Sequence, residues 1–315
     1  MPTLLSLESL ETDRQFVERQ RDEAKQGAWG TSRLMWENRL RELNLRIAEL
    51  KAGSNSYASV ALIFDGLPVI GQGDIRLDFS TDALNSYQKM ISIALASQAG
   101  EDLPERGPVK GSGKGRLFIR DLVRGSMGFM LEELAPDQQE MIATPLKQAV
   151  ESATALIGSM TADQTDENFD ALLADTQPRM VAAVQKFTKV LQEAGASTRI
   201  VGDEHAVGLT GPQVDALYKR LKTVEVKEDV EEVDGTLLGI LPDAHQFEMR
   251  LPGDDGGTLK GSVADDLALK YLADLQFKET LLLKPVRASI NYIRTMRNGK
   301  VIKEHKVLQN LVPLG

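Results

Sequence analysis

The hydrophobic and polar pattern is most readable in the last quarter of the chain, where 230–241, 245–251 and 258–263 read as three strands. The stretch 264–275 predicts a short helix, and two long β-branched runs, 286–297 and 300–312, flank Asn298-Gly299. Both central residues of a two-residue hairpin turn take φ > 0, so Asn-Gly between such runs predicts a tight hairpin. Three strands, a helix and two more strands are the element order of five-stranded OB-type folds. The pattern therefore predicts a small OB-like β-barrel.

Upstream the period changes. Residues 11–51 carry heavy charge of both signs and read as one long helix, weakened at Gly27-Ala28-Trp29-Gly30. Trp36, Leu40, Leu43, Ile47 and Leu50 recur at spacings of four and three, which places them on one seam. Two apolar heptads are marginal for an isolated helix, so the seam needs a covering surface. That surface is either another helix of the same chain, in a hairpin, or a second copy in self-association.

Residues 58–64 and 67–70 are apolar runs separated by Asp65-Gly66. Within 74–79, Asp74, Arg76 and Asp78 alternate with Ile75, Leu77 and Phe79, a strand pattern with one buried face. Ser80 is placed to cap a helix over 81–98, with Leu84, Tyr87, Ile91 and Ala94 on one side. A polar glycine-rich loop covers 100–115, and 116–123 with 127–134 read as a strand pair around Arg124-Gly125-Ser126.

The next segment is helical, with Pro136 near its start and Ile142, Leu146, Val150, Ala153 and Ile157 on its buried face. Pro178 leads another helix through Ala194, with Val181, Val184, Phe187 and Leu191 inward and Gly195 as C-cap. Thr210-Gly211-Pro212-Gln213 resembles a capping box opening a helix over 212–221. Glu225–Asp234 sets six acids against Lys227 and reads as a connector. The fold class is α+β, in three parts: an N-terminal helical arm (1–56), an antiparallel sheet body with a helical layer (57–222), and the barrel (223–315).

Composition narrows the classes. A chain of 315 residues exceeds one ordinary core, and 42% apolar content with 12 prolines fits a folded protein. The absence of cysteine excludes disulfides and thiolate metal ligands and fits a reducing cytoplasm. No apolar run approaches the roughly 20 residues that span a bilayer, and Met1-Pro2-Thr3 opens no secretory leader, so no membrane partner is expected. A net charge of −9 argues against a generally nucleic-acid-coated surface while leaving room for a local basic face.

Most candidate chemistry has an ordinary structural explanation. Gly111-Ser112-Gly113-Lys114-Gly115 departs from the phosphate-binding loop, which needs glycine where Pro108 stands and Ser or Thr where Gly115 stands. Lys110, Lys114, Arg120 and Arg124, with Arg116 beside them, form a candidate anion contact, and Glu132 and Glu133 are ready internal partners for it. Asp74 and Asp78 share a strand face, but acid–base work needs a cleft and one raised pKa, and Arg76 stands between them. His205 follows Asp203-Glu204 without a second ligand pair, while His245 and His305 are isolated. Asp254-Asp255 lacks the alternating oxygens of a calcium loop, and Arg124 replaces the first glycine that a nucleophile elbow at Ser126 would need. These patterns predict no catalytic residue, cofactor or metal.

The sharper signal is the basic hairpin of the barrel. Lys284, Arg287, Arg294, Arg297, Lys300, Lys303 and Lys306 face only Glu304 within that interval. Tyr292 is the best candidate for base stacking, ahead of Phe247, Tyr271 and Phe277. The leading expectation is a non-catalytic multidomain interaction or regulatory protein. Its seam would join a protein partner or a second copy, and its hairpin would hold an acidic surface. One alternative is nucleic-acid binding through Arg287, Tyr292, Arg294, Arg297, Lys300, Lys303 and Lys306, with steep salt dependence. Another is an enzyme acting on an anionic substrate near 107–124.

Overall fold

The computed structural model describes the chain apart from residues 26–29, 54, 72, 99–114, 124–126, 135–141, 164, 254–255 and 315. The described residues of Met1–Gln98, Lys110–Ala162 and Lys186–Tyr218 form one compact unit, and those of Asp163–Gln185 and Lys219–Gly315 form a second.

The first unit begins with two helices, α1 (Thr3–Lys25) and α2 (Gly30–Ala52), where the sequence predicted one. Leu40 and Leu43 of α2 are buried with Val17 of α1, and Leu10 and Trp36 pack alongside. Lys51 meets Glu11 at 3.3 Å at the far end of the pair. The seam of Leu40 and Leu43 thus lies against a helix of its own chain, which supplies the apolar cover that an isolated helix lacks.

After the arm come β1 (Ser59–Gly66), β2 (Val69–Ile70), β3 (Asp74–Ile75) and α3 (Leu77–Gln98). The strand expected over 74–79 therefore ends at Ile75, and the helix starts before Ser80. Six alternating residues did not decide the matter, because Asp78 also suits the positive end of a helix dipole. Arg76 closes on Asp78 with bonds of 3.0 and 3.1 Å, and the Ser80 hydroxyl donates to the Leu77 carbonyl instead of capping.

Next are β4 (Phe118–Val123), β5 (Met127–Glu132) and α4 (Pro145–Thr161). Thr144 caps α4, its hydroxyl oxygen accepting the Lys147 N–H at 3.1 Å. Ile142 precedes this helix and is exposed, not on its buried face as expected, while Pro136 lies outside the described residues.

Then follow α5 (Asp166–Asp175), α6 (Pro178–Ala194), β6 (Ala196–Val201), β7 (Ala206–Leu209) and α7 (Gly211–Lys222). Gly195, at φ +63°, lets α6 turn directly into β6. At Thr210 the reach-back half of the capping box forms, with the Gln213 side-chain oxygen accepting the Thr210 N–H at 3.0 Å and the Thr210 hydroxyl at 2.8 Å.

The sheet of the first unit has the order β4-β5-β1-β6-β7 and is antiparallel throughout. Phe64 of β1 meets Phe79 edge-on at 5.2 Å, and Tyr87 packs on Phe187 at 6.0 Å, joining strand and helices in one core.

The second unit contains α5 together with β8 (Val224–Leu241), β9 (Gln246–Arg250), β10 (Thr258–Val263), α8 (Asp265–Ala273), α9 (Leu275–Leu281), β11 (Pro285–Arg297) and β12 (Lys300–Pro313). Its strands close into a ring in the order β10-β12-β11-β8-β9. All neighbours run antiparallel except β10 and β12, which meet in parallel at Ser262↔Val307 and Val263↔Leu308. Asn298 and Gly299 take φ of 51° and 79°, the tight turn expected between the last two strands.

Acid-rich 225–234 is not a connector. It belongs to β8, which pairs with β11 from Val224 to Thr236 and with β9 from Thr236 onward. Leu237, Phe247, Met249 and Ile290 fill the ring, and Tyr271 of α8 with Leu281 of α9 complete that core. Among the described residues, no helix is long and apolar enough to cross a membrane.

Candidate functional site

The basic hairpin is built from β11 and β12, and the strand beside it is β8. Each arginine of β11 finds carboxylates. Arg287 is forked to Asp234 by bonds of 2.7 and 2.9 Å across their shared ladder position. Arg294 reaches Glu304 at 2.7 Å and both Asp229 and Glu231 at 3.3 Å. Arg297 is 8% exposed and donates to Asp170 at 2.6 Å and Asp166 at 2.7 Å.

These bonds shift acid titration. The Arg287 hydrogen bond holds Asp234 below the usual carboxylate range, the Arg294 bond does so for Glu304, and the Arg297 bond for Asp166. Lys306 meets Glu304 at 3.4 Å. Lys300 and Lys303 make no ion pair among the described residues. Tyr292, expected at the surface for stacking, is 8% exposed and belongs to the ring core, with the Arg294 guanidinium 4.9 Å from its ring centre. Phe247 and Tyr271 are core residues too, and Phe277 packs partly against them.

A cleft of ≈ 740 Å³ opens elsewhere on the ring, along β8, β9, β10 and the His305 position of β12. Leu238 and Leu241 provide its apolar wall, and Gly239 and Gly261 leave it without side chains where two strands pass. A Cβ on Gly261 would sit 2.4 Å from the Lys306 carbonyl oxygen and 2.9 Å from the Phe247 ring, so only glycine fits there. The polar groups are largely matched within the cleft: Lys260 pairs with Glu248 at 2.8 Å, and the Ser262 hydroxyl lies 3.1 Å from His305 Nε2. Sequence reading missed this cleft. Glycines inside strands at 239 and 261 were the available signal, since such positions mark bulges or close approach.

The first unit holds a buried polar cluster that sequence reading also missed. Glu151 of α4 accepts the Asp203 N–H at 2.7 Å and the His205 N–H at 2.8 Å, and its Oε2 lies 3.1 Å from His205 Nδ1. Asp203 in turn accepts the Thr3 N–H at 2.7 Å and hydroxyl at 2.8 Å, and lies 3.3 Å from Lys147 Nζ. Lys147 also donates to the Asn55 carbonyl. Charges at 147 and 151 inside an apolar helix stripe were the signal. The cluster ties the β6–β7 turn to α4 and to the start of α1. Among the described residues, no group of side chains is placed to hold a metal ion.

The other candidates are dispersed. Arg120 is exposed and 3.9 Å from Glu132, a cross-strand pairing the sequence offered, while Lys110, Lys114 and Arg124 lie outside the described residues. Ser126 and Asp254-Asp255 lie outside them as well. His245 is 3.5 Å from Asp265. No family model, curated protein or solved structure matches the chain.

Proposed function

We propose that the ring is an OB-type module and that the chain is a non-catalytic, multidomain interaction or regulatory protein whose macromolecular partner is a protein. The OB reading is supported by three strands, a helical segment and two strands in chain order, together with the parallel β10–β12 contact that closes the ring. The observation that carries the partner reading is the neutralisation of the hairpin: β8 supplies carboxylates to Arg287 and Arg294. A nucleic-acid surface would keep such arginines available for phosphates and would present stacking rings, and here the tyrosine is in the core. A cleft on the ring is walled by leucines and has its own ion pair, which suits a protein surface.

Lys300 and Lys303 favour the alternative, nucleic acid held at the hairpin tip. Capture from native lysate at low and moderate salt separates the two. The protein reading expects recurrent protein partners that persist at moderate salt after nuclease treatment. Captured nucleic acid that is lost as salt rises, with no persistent protein, would replace it.

A further inference from the structure

We infer that the cleft on the ring receives an extended, uncharged apolar peptide segment of a partner protein, which adds to the ring as a further strand; this rests on the interaction reading above. Three observations converge on that occupant.

The first is backbone. β10 and β12 are ladder partners at Ser262↔Val307 and Val263↔Leu308, and Gly261 still lies against the Lys306 carbonyl, so the unpaired edge of β10 is the stretch before Gly261. Thr258–Lys260 pairs with β9 alone, and Lys300–Glu304 pairs with β11 alone, among the described residues. Strand edges of this kind offer N–H and C=O groups in the spacing that an added strand matches.

The second is shape. Leu238 and Leu241 line the cleft, and Leu241 is 62% exposed, a large apolar side chain left in water. Gly239, where a Cβ would meet nothing within 4 Å, keeps the floor low enough for a backbone to approach. Alternate side chains of an incoming strand would then point toward the leucines.

The third is charge. Lys260 and Glu248 satisfy each other across the β9–β10 ladder, so the cleft presents no excess of either sign. A phosphate backbone would find one committed lysine and a carboxylate, whereas an uncharged peptide meets no unmatched ion. The lining also offers no exposed aromatic ring for a base or sugar to stack on, Phe247 being 3% exposed.

The test uses the full chain, a peptide library and one oligonucleotide. The library holds fluorescein-labelled peptides of about eight residues, with Val, Leu, Ile or Phe alternating with Thr. The oligonucleotide is a labelled oligo(dT) of similar length. Gly239→Val is the blocking variant: a Cβ at Gly239 meets nothing within 4 Å, so the side chain stands in the open cleft without disturbing the strand. Circular dichroism checks its fold, and Leu241→Lys serves as a second blocking variant at an exposed position.

The expected result is saturable binding of library members, weakened by about tenfold or more in both variants and by N-methylation of alternate peptide amides. Retention of no peptide, or equal binding to wild type and both variants, overturns the inference. If lysate capture then persists and is indifferent to Gly239→Val, the interaction reading survives with its surface elsewhere. Loss of lysate capture as well would remove both. Binding of oligo(dT) that Gly239→Val abolishes would assign the cleft to single strands, and would also overturn the inference.

Discussion

Arg287 and Asp234 face each other across the β8–β11 ladder, joined by two bonds of 2.7 and 2.9 Å. The pairing makes the charge of the hairpin a property of two strands and not of one. Removing the acids should therefore unmask it. The triple variant Asp229→Asn, Glu231→Gln, Asp234→Asn is expected to bind single-stranded oligonucleotide at low salt more tightly than wild type. The log of its affinity should fall steeply with log salt. Titration of labelled oligonucleotide at three salt concentrations checks this, and equal affinity for both proteins would mean the carboxylates mask nothing.

Acid should weaken the second unit. The folded-state pKa values of Asp166, Asp234 and Glu304 lie below their ordinary values, each through a hydrogen bond from arginine. Below the ordinary carboxylate range of about 4, the unfolded chain binds protons that the folded chain refuses. Their contribution is thus complete above that range and is lost as pH falls through the lowered folded values. Thermal melts between neutral and strongly acid pH should show the fall, and Asp234→Asn should flatten part of it. A curve unaltered by that substitution would contradict the assignment for Asp234.

Arg297 should matter more than its neighbours. It is nearly buried, forks to Asp166 and Asp170, and lies 5.1 Å from the centre of the Phe169 ring. Arg297→Ala is expected to cost about 2 kcal/mol, the range for hydrogen bonds to charged groups. Arg297→Lys keeps the charge but loses the planar fork, so it should recover only part. Denaturant unfolding measures both, and equal stability of the Lys variant and wild type would show that the fork is dispensable.

The arm offers a packing test. Leu43 is 1% exposed in the cluster with Val17 and Leu40. Leu43→Ala should destabilise the arm by about 3 kcal/mol. Amide exchange of α1 and α2 should then speed up together. Acceleration confined to α2 would mean that the helices do not support one another.

Glu151 is expected to hold the β6–β7 turn. Glu151→Ala strands the N–H groups of Asp203 and His205 and removes the carboxylate beside Gly202, at a cost of about 3 kcal/mol. Hydrogen exchange at Asp203 and His205 should rise in the variant. Unchanged protection there would require another acceptor.

How much could be read beforehand follows from the range of each signal. The ring was legible because its cues are local: Asn298-Gly299 fixes a turn, and β-branched runs mark the strands on both sides. β8 was read short because its first half carries no apolar alternation; residues 225–234 of β8 are largely solvated and earn their place by pairing with β11. The partners of Arg287 and Arg294 were illegible for the same reason, since Asp234 and Asp229 stand 53 and 65 positions away. β6 and β7 are short, and β6 is interrupted by Arg199, so neither raised a strand signal. The helix break in the arm was visible as Gly27 and Gly30, yet the charged pattern on either side concealed that two helices, and not one, were encoded.

β8 also has a biography during synthesis. The strand is complete at Leu241, whereas its partner β11 begins only at Pro285, so a ribosome makes more than forty residues before the ladder can start. Its second half can pair with β9 almost at once, but the half that waits for β11, residues 224–235, would ordinarily invite neighbouring chains to stick. Mutual repulsion among its acids should oppose such pairing, and Arg287 and Arg294 of β11 neutralise three of these carboxylates in the folded ring, so one set of side chains serves both the waiting strand and the finished ladder.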